Sequence, residues 1–586
     1  MKLENLPPAA QGVLVVETAG GERTYALGPR TQLDGDVPML DWRTAPLAGA
    51  FFRHAPGERY ELEVGDRVAE GVVRARYVLS RGALVGDEAH PAPKQIPQPD
   101  RSQLVVLDAE QQRAVDLSAD TSLVVDGEAG VGKTLVALYR IASLARRAEG
   151  KRRFRALALV PTEGLRRLVR LLAERLQIEQ QLEVAVVDDW LVARAREAFP
   201  GLPKRTSEAA QAQVIALKRH PAVRAALSDF DDWHIPRELR ELDEKLPRSR
   251  ARLLHLWGDQ ARLERIIAAS GGALPARAAG IVMRHTRQQF ETASEKQYAH
   301  VDADRLAALD GRKLDAGTAA ENAHTFDAED APVLFELVRR GSLPAPKTKL
   351  AQYDHIVVDE AQLRAPLELA AIADALAPHG TVTLAGDHRQ ATDETAWFGG
   401  WSAARAEIPH ARWAEVTLAV TYRSVPSIGA FGAAIADGAA QLPEDPPRDP
   451  SLWATPCAGA LGQAAALCWH LDALLARDPW RQIAVIARTP EHARRLHAEL
   501  ARGLDPVLVL DGDFRFEPGI VVTTAAAVSG LEFDGVVLPD CTPSFYPAGN
   551  AELARALYVA ATRARDWLWL LTPDAWSPLV HPPQIG

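Results

Sequence analysis

The chain is poor in cysteine, lacks a signal-peptide pattern at its start and has no apolar run of membrane-spanning length. Only three of its 586 residues are cysteine, Cys457, Cys468 and Cys541, and they form neither a CxxC pair nor a cluster with histidine. We therefore expect no disulfide framework and no zinc site, as is typical of a reducing cytoplasm. The opening residues, MKLENLPP, lack the basic and then apolar order of a signal peptide. These absences predict a soluble, cytoplasmic protein without a membrane segment.

The charge balance lacks the positive excess of proteins that coat nucleic acid. Lysine and arginine number 67, aspartate and glutamate number 77, and the formal net charge is -10. A local basic groove is still compatible with this balance, because the local field decides binding. The arginine-rich stretch at residues 146–170 is one candidate for such a groove. A solvated helix face is the alternative, and it is the favoured interpretation in a chain so rich in arginine and alanine.

The length predicts three or four domains, and the residue pattern divides the chain into three regions. Residues 1–95 are predicted to form a β-rich segment, with short strands at 13–16, 60–64 and 71–79. The proline-rich stretch at 90–99 cannot form a helix, so we interpret it as an extended connector.

Residues 96–405 are predicted to form a first α/β domain, because apolar strands alternate with helical stretches as in a parallel sheet. A mostly helical insertion is expected within it at about residues 200–345, with helices at 237–246 and 249–269. Residues 406–586 are predicted to form a second α/β domain. The predicted strands lie at 122–126, 156–160, 355–358 and 381–385 in the first domain, and at 483–486, 507–510 and 520–524 in the second.

Residues 127–134, GEAGVGKT, match the GxxxxGK[ST] pattern of a phosphate-binding loop. The loop follows a predicted strand and opens a predicted helix, which is the context that the pattern requires. Gly127 and Gly132 would let backbone N–H groups approach phosphate oxygens. Lys133 would supply a positive charge to the β and γ phosphates, and Thr134 would offer a hydroxyl to Mg²⁺. The predicted nucleotide contacts are Gly127, Glu128, Ala129, Gly130, Val131, Gly132, Lys133 and Thr134.

A second motif, IVVDEAQ at residues 356–362, supplies two adjacent carboxylates. Asp359 would hold the Mg²⁺ shell at the end of a buried strand, and Glu360 would orient or deprotonate the attacking water. Such a strand end is a weak signal by itself, because many strands end in acidic loops. Paired with a phosphate loop, it predicts ATP hydrolysis with Lys133 and Glu360 as catalytic residues and with Thr134 and Asp359 as metal ligands.

Five further segments flank these two motifs in a fixed order. They read LDAEQQRAV at 107–115, GDHRQ at 386–390, TYRS at 421–424, GLEFD at 530–534 and LYVAATRA at 557–564. With the loop and the acidic pair, they resemble the motifs of superfamily 1 helicases of the UvrD/Rep kind, over roughly residues 104–572. The resemblance implies an α/β fold with two RecA-like P-loop NTPase domains, a helical insertion in the first and a small β-rich segment before them.

The same resemblance implies roles for single residues, and it implies ATP and Mg²⁺ as cofactors. An arginine supplied from across a cleft stabilises the charge that develops on the γ-phosphoryl group, and it draws the cleft closed when ATP binds. In the resemblance, the adenine would be read by Gln111, the γ-phosphate sensed by Gln390, the base packed by Tyr422 and the ribose contacted by Glu532, with Arg423 and Arg563 as arginine fingers.

A narrower resemblance is to HelD-like ATPases, which bind bacterial RNA polymerase and release it from stalled complexes. The segment MLDWRTAP at 39–46 is similar to the region before the motor in that branch. Only about a hundred residues separate TYRS from GLEFD, which leaves no room for the large domain that UvrD and Rep carry there. HelD-like proteins usually begin with a long coiled-coil arm, which we do not expect here because the sequence starts almost directly at the predicted β-rich segment.

Parts that would track a nucleic-acid strand depart from the family pattern. The segment VPTEG at 160–164 lacks an aromatic residue, and Ala526 and Ser529 stand where histidine and lysine are common. Trp397, Phe398 and Trp401 could stack on bases. Buried packing against the helical insertion is the favoured expectation for these aromatic residues.

Three functions are left open by the residues and the resemblance. The first is an ATP-dependent superfamily 1 motor that remodels DNA or nucleoprotein, HelD-like and acting on RNA polymerase complexes. The second is a DNA-dependent ATPase or 3′–5′ DNA helicase of the UvrD/Rep type, and the third is an ATP-gated binding clamp without productive translocation. DNA is the expected partner and RNA polymerase a further one, no membrane partner is expected, and a monomer is assumed.

Overall fold

The structure of the protein is a computed structural model, and it describes most of the chain. The described residues are 6–64, 67–80, 83–86, 107–127, 131–148, 154–207, 210–227, 246–291, 322–390, 393–409, 412–418, 425–436, 438, 440–442, 451–528 and 530–581. The predicted connector at 90–99 lies outside these residues, as does the predicted helix at 237–246 except for its last residue.

The first region is a mostly antiparallel sheet with one short helix, as the alternating pattern of its strands predicts. Its described strands lie in the order β3-β2-β1-β5-β4, β6 pairs with β5, and only β2 and β3 run parallel. The prediction of a β-rich segment is confirmed for these residues. The elements are β1 (Gly12–Thr18), β2 (Gly21–Gly28), β3 (Met39–Asp41), α1 (Ala48–Arg53), β4 (Arg59–Val64), β5 (Arg67–Ser80) and β6 (Ala83–Val85).

Residues 107–418 contain a six-stranded parallel sheet and the helical insertion. The strands are β7 (Ser122–Gly127), β8 (Ala156–Val160), β9 (Leu182–Val186), β10 (Arg205–Thr206), β11 (Thr325–Phe326), β12 (Tyr353–Val358), β13 (Leu376–Gly386) and β14 (Trp413–Leu418). The helices are α2 (Ala109–Asp116), α3 (Lys133–Ala148), α4 (Glu163–Arg175), α5 (Val187–Ala198), α6 (Ala212–Arg219), α7 (Val223–Ala226), α8 (Arg248–Trp257), α9 (Gln260–Ala269), α10 (Ala278–Phe290), α11 (Asp330–Arg339), α12 (Pro366–Ala373) and α13 (Trp401–Ala406).

The sheet of this first α/β domain has the described strand order β14-β7-β13-β12-β8-β9, with every pairing parallel. The central strands β7 and β8 are buried at every position, which is why they read as unbroken apolar runs. The predicted boundary between residues 405 and 406 is wrong, because β14 pairs with β7 and extends the first domain to at least Leu418. An edge strand with mixed exposure has a weak hydrophobic pattern, so this pairing could not be predicted from the residues of β14 alone.

The helical insertion packs directly against the first parallel sheet. Val124 and Leu157 of the sheet share one apolar core with Trp257 and Val282 of the insertion. The stretch predicted as one helix at 249–269 forms two, α8 and α9. Gly258 follows the last residue of α8, and the Asp259 side chain accepts a hydrogen bond from the N–H of Arg262 to begin α9.

The second α/β domain also carries a six-stranded parallel sheet, with the described order β16-β21-β20-β17-β19-β18. Its predicted strands are confirmed, although the one predicted at 507–510 is shorter. Among the described residues no helix is both long enough and apolar enough to span a membrane. The elements are α14 (Pro426–Ala436), β15 (Ala440–Gln441), β16 (Leu452–Pro456), α15 (Gly459–Arg477), β17 (Gln482–Ala487), α16 (Pro490–Leu500), β18 (Val507–Leu508), β19 (Gly519–Thr524), β20 (Phe533–Leu538), α17 (Ala551–Ala561), β21 (Ala564–Thr572) and β22 (Val580–His581).

The N-terminal sheet packs on the second α/β domain through aromatic side chains. Phe51 and Trp469 of α15 have ring centroids 5.2 Å apart, and the Trp469 indole N–H donates to the Phe51 carbonyl at 3.1 Å. The guanidinium of Arg76 also contacts the face of Trp469, 4.4 Å from the ring centroid, in a cation–π interaction. Trp42 is fully buried in the same core. The N-terminal sheet therefore belongs with the second domain in space, although the first domain follows it in the chain.

Candidate nucleotide-binding site

The phosphate loop lies between the carboxyl end of β7 and the first residue of α3. Gly132 has a φ of +86°, a left-handed conformation that favours glycine. Lys133 is 7% exposed, and its ammonium donates to the Gly127 carbonyl at 2.8 Å, which places the charge across the mouth of the loop. Gly127 and Val131 are described with them, while Glu128, Ala129 and Gly130 lie outside the described residues. This geometry presents a helix N-terminus and one cation to the same point, as an anion site requires.

The loop meets the acidic motif through one hydrogen bond. Thr134 Oγ1 donates to Asp359 Oδ2 at 2.6 Å, although the two residues are 225 positions apart in the chain. Burial, and next the neighbouring Glu360 carboxylate, raise the pKa of Asp359 to about 6. A hydroxyl and a carboxylate are hard oxygen ligands of the kind that Mg²⁺ prefers. The pair therefore fits a divalent cation, whose charge would offset the cost of the two adjacent carboxylates.

Glu360 has an uncommon backbone conformation, and its side chain is bound by a residue without a predicted role. Its φ of 49° and ψ of 45° are left-handed, which costs a residue with a Cβ free energy and is often found at functional sites. The Gln362 side-chain N–H donates to Glu360 Oε2 at 2.6 Å, and Gln362 Oε1 accepts from the Asp387 N–H at 3.3 Å. Gln362 thereby connects Glu360 to the chain that follows β13. Its position in IVVDEAQ gave no signal for this role, because the contact to Asp387 is tertiary.

A cleft of about 540 Å³ brings the phosphate loop and the second domain together. Lys133, Thr134 and Glu360 line one wall, and Glu532 and Arg563 line the other. The Arg563 guanidinium is mostly buried, and its Nε donates to the Val559 carbonyl at 2.9 Å. Residues that line the same cleft without having been predicted are Leu135, Leu165, Leu168, Leu171, Leu172, Arg175, Gln482, Arg515, Phe516 and Arg565.

Gln111 does not line this cleft. Its side-chain N–H donates to the Val131 carbonyl at 2.9 Å, and its Oε1 accepts from the Asp108 N–H at 3.1 Å. Asp108 in turn caps α2, so the two side chains form a reciprocal capping box. Gln111 lies directly behind Gly132, where an added Cβ would stand 2.9 Å from its amide nitrogen. One end of the Gln111 amide therefore holds the loop, and the other end caps α2.

Of three other predicted site residues, only Gln390 lies within the described part of the chain. Tyr422 and Arg423 lie outside the described residues. The backbone of Gln390 ends a short 3₁₀ turn, His388–Gln390, just beyond β13. In that turn His388 Nδ1 lies 2.9 Å from Asp126 Oδ2, and burial raises the pKa of the adjacent Asp387. The Lys133 charge is thus surrounded by carboxylates on the first domain.

A second groove of about 410 Å³ opens between the domains and also reaches Glu360. Pro161 and Thr162 line it from the first domain, and Ala526 lines it from the second. Its described charged side chains are mixed in sign: Arg364 and Arg488 against Glu360, Asp393 and Glu552. The groove is therefore not a basic channel in its described part.

The arginine-rich stretch at 146–170 also fails to present a uniform positive surface in its described part. Arg147 donates to the Leu117 carbonyl at 2.8 Å, and both Arg166 and Arg167 pair with Glu163. These contacts favour the interpretation as ordinary helix faces.

The aromatic residues after β13 pack against the insertion, as expected. The Trp397 indole N–H donates to the Ala216 carbonyl at 2.8 Å, and its ring meets His220 edge-on. Trp401 is buried and contacts Phe398 edge to face. The alternative prediction that Trp401 stacks on bases is therefore wrong, because its ring is buried in the core.

Comparison with known proteins gives one family match. Residues 519–571 match the family model of the UvrD-like helicase C-terminal domain, and the segments GLEFD and LYVAATRA lie inside the match. The match confirms the predicted UvrD-like character for this part of the chain. It gives no support to the narrower HelD-like prediction.

The other comparisons add little. No curated protein matches the chain. Among solved structures, the chain is similar to the C-terminal domain of a possible DNA helicase from Lactobacillus plantarum WCFS1. The identity is 21%, the likeness covers 28% of this chain and 99% of that one, and the TM-score is 0.23. A likeness with so low a score carries no conclusion about function.

Proposed function

We propose that the chain is an ATP-hydrolysing motor of the superfamily 1 helicase type that works on nucleic acid. The single observation that carries the proposal is the cleft in which Lys133, Thr134 and Glu360 face Glu532 and Arg563. The UvrD-like match over 519–571 supports it independently, because that match covers the wall opposite the phosphate loop. Two RecA-like domains are the fold that we propose for the two parallel sheets.

The first domain would bind and orient the triphosphate. Lys133 would exchange the Gly127 carbonyl for phosphate oxygens, since a carbonyl is a weaker partner for an ammonium than an anion is. Thr134 and Asp359 would hold Mg²⁺, which supplies charge neutralisation at the β and γ phosphates when bound. Glu360 would accept a proton from the attacking water at its Oε1, because Gln362 occupies Oε2.

The second domain would complete the site from across the cleft. Glu532 would contact the ribose, and Arg563 would stabilise the charge that develops on the γ-phosphoryl group. Because the contacts come from two domains, ATP favours a closed cleft and hydrolysis releases it. The roles implied by the motif resemblance are also proposed for Tyr422, Arg423 and Gln390. For Gln111 we propose that its main role is to support the phosphate loop through the Val131 carbonyl, in addition to the implied contact with adenine.

The catalytic assignment is tested with Glu360→Gln. We expect the ATP turnover number to fall by about 10²–10⁴-fold, the usual contribution of a general base, with ATP binding retained. Glu22→Gln on the exposed face of β2 is the matched control, and its turnover should equal that of the wild type. Unchanged turnover in Glu360→Gln would remove Glu360 from the mechanism, whereas a wild-type protein that binds ATP without measurable turnover would favour the clamp.

A second candidate is a HelD-like motor whose track is RNA polymerase. The mixed charge of the groove at Glu360 favours it, because a strand-tracking groove is expected to be basic. Against it, Trp42 of the segment MLDWRTAP is buried in the contact with the second domain, and Arg43 pairs with Glu499. ATPase assays with single-stranded DNA and with RNA polymerase separate the candidates. Stimulation by the polymerase alone would overturn the nucleic-acid proposal.

A further inference from the structure

Helix α6 joins the insertion to the motor through two consecutive basic residues. Lys218 points into the insertion, where its side chain is completely buried. Its ammonium lies 2.7 Å from Asp327 Oδ2 and 2.8 Å from Asp330 Oδ1. Asp327 also contacts His285 of α10, and Asp330 accepts from the Trp257 indole at the end of α8. The end of α6 is therefore fixed to three separate parts of the insertion.

Arg219, the next residue, points the other way and binds the motor. Its guanidinium donates to the Leu363 carbonyl at 2.7 Å and lies 2.8 Å from Glu368 Oε1 on α12. It also donates to Asp393 and, at 2.8 Å, to Thr395 Oγ1. Leu363 follows Glu360 by three positions, and Asp393 follows Gln390 by three. One buried side chain thus ties together the two loops that carry these site residues.

The segment at Asp393–Thr395 continues the path into the second domain. Glu394 Oε1 accepts from Arg555 Nη2 at 2.6 Å. Arg555 lies on α17, and the Val559 carbonyl on the same helix accepts from Arg563 Nε. A path of polar contacts, joined by chain neighbours at Asp393–Glu394 and by the length of α17, therefore runs from Arg219 of the insertion to the helix that holds Arg563.

We propose that this set of contacts makes Arg219, Glu394 and Arg555 positioning residues, through which the state of the helical insertion sets how Arg563 faces the nucleotide cleft. The inference rests on the proposed ATPase function and adds a regulator to it. A partner that moves α6 would shift the Asp393–Thr395 segment and, through Arg555, rotate α17. The consequence is a change in turnover with little change in ATP affinity, because Lys133 and Thr134 are not on the path.

An ordinary surface ion pair is the alternative for Glu394 and Arg555. Their side chains are 77% and 28% exposed, and pairs with such exposure contribute little to stability. A merely structural pair therefore predicts variants with wild-type turnover. This makes the pair suitable for a test, because both residues can be changed without opening the core.

The test is a charge-reversal cycle with Glu394→Arg, Arg555→Glu and the double variant. We expect each single change to lower the turnover number at least about fivefold, the lower end of coupling between sites, with a smaller change in KM for ATP. The double variant should return to within about twofold of the wild type, as a restored pair predicts. Single variants with wild-type turnover, or a double variant as slow as the two single effects combined, would overturn the proposal.

Two controls make the result specific. The exposed pair Glu17 and Arg74 on the N-terminal sheet is reversed in the same way and should leave turnover unchanged. Arg219→Lys keeps the charge but cannot serve all the acceptors of a guanidinium, so we expect turnover to fall while the thermal unfolding midpoint stays close to that of the wild type. Wild-type turnover in a folded Arg219→Lys variant would remove the insertion from the path.

Glu360→Gln is assayed beside these variants to separate the two proposals. If Glu360→Gln hydrolyses ATP as fast as the wild type, the proposed catalytic site is wrong. If Glu360→Gln is inactive and the reversal variants are not slowed, the site is kept and the coupling alone is wrong.

Discussion

The two parallel α/β domains have sheets of the same size but different electrostatic character at the cleft between them. The first presents the Glu360 carboxylate, with the buried Asp359 next to it in the chain, together with Lys133 and Arg175. The second presents the guanidinium groups of Arg563, Arg565 and Arg515 together with the Glu532 carboxylate. An anionic substrate with a divalent cation would fit the space between these walls. The cation would neutralise the carboxylates of the first domain, and the phosphates would pair with the guanidinium groups of the second. In the proposed function, neither domain carries a complete site.

The domains also differ in how their additional parts are attached. The insertion joins the first domain through an apolar core and the buried ion pair of Arg219 with Glu368. The N-terminal sheet joins the second domain through aromatic packing around Trp469. Buried ion pairs depend on exact geometry and can act as a switch, whereas apolar packing holds two bodies together over a range of small shifts.

The largest effect is expected when the arginine wall is removed. Arg563→Ala should lower ATP turnover by about 10³-fold or more, as loss of an arginine finger does. ATP should still bind the first domain, which a fluorescent ATP analogue can measure. Arg412→Ala, an exposed arginine paired with Asp120, is the matched control. Equal turnover in both variants would contradict the division of the site between two domains.

Removing the aromatic contact of the second domain should cost stability. Trp469→Ala leaves a cavity under Phe51 and Arg76, and we expect it to lower the free energy of unfolding of that domain by about 3–5 kcal/mol. Urea denaturation followed by fluorescence measures it. Trp480, at 68% exposure, is the control, because Trp480→Ala should change stability by no more than about 0.5 kcal/mol. Similar costs for both would show that the sheet is not docked there.

The carboxylate wall should make stability depend on pH when no Mg²⁺ or nucleotide is present. The pKa of Asp359 rises from 3.8 to about 6 on folding, so the folded protein binds the proton more tightly than the unfolded chain. The stability from this group is fully present below about pH 4 and is lost as pH rises through 6. Asp359→Asn should therefore raise the unfolding midpoint at pH 7 by a few degrees, since 1 kcal/mol shifts a domain of this size by about 2–4 °C. The gain should disappear near pH 4.

The smallest effect is expected at Gln111, and its variant tests whether this residue supports the phosphate loop or reads adenine. If Gln111 supports the loop through Val131, Gln111→Ala should weaken ATP and GTP binding equally, by about 3–10-fold for the lost hydrogen bonds. If it reads adenine, ATP binding should weaken while GTP binding does not. Competition titrations with both nucleotides distinguish these outcomes.

Sequence reasoning was accurate where the chemistry is local. The strand, loop and helix around residues 122–148 follow from an apolar run, glycines and a helix start within a few positions of each other. The parallel sheets followed from unbroken apolar strands alternating with helices. One error came where long-range pairing decides, because β14 joins the first sheet. The other error, the break of 249–269 at Gly258, has a local cause in the capping residues Gly258 and Asp259.

The sequence by itself determined that a phosphate loop and an acidic strand end are present, because each needs only neighbouring residues to take its form. The tertiary structure decided what faces them. It placed Arg563 across the cleft, Gln362 against Glu360 and Arg219 between the insertion and both loops. These contacts join residues far apart in the chain, and their geometry is set by how whole sheets and helices pack. A pattern of neighbouring residues cannot predict contacts of this kind, because it carries no information on which distant residues meet.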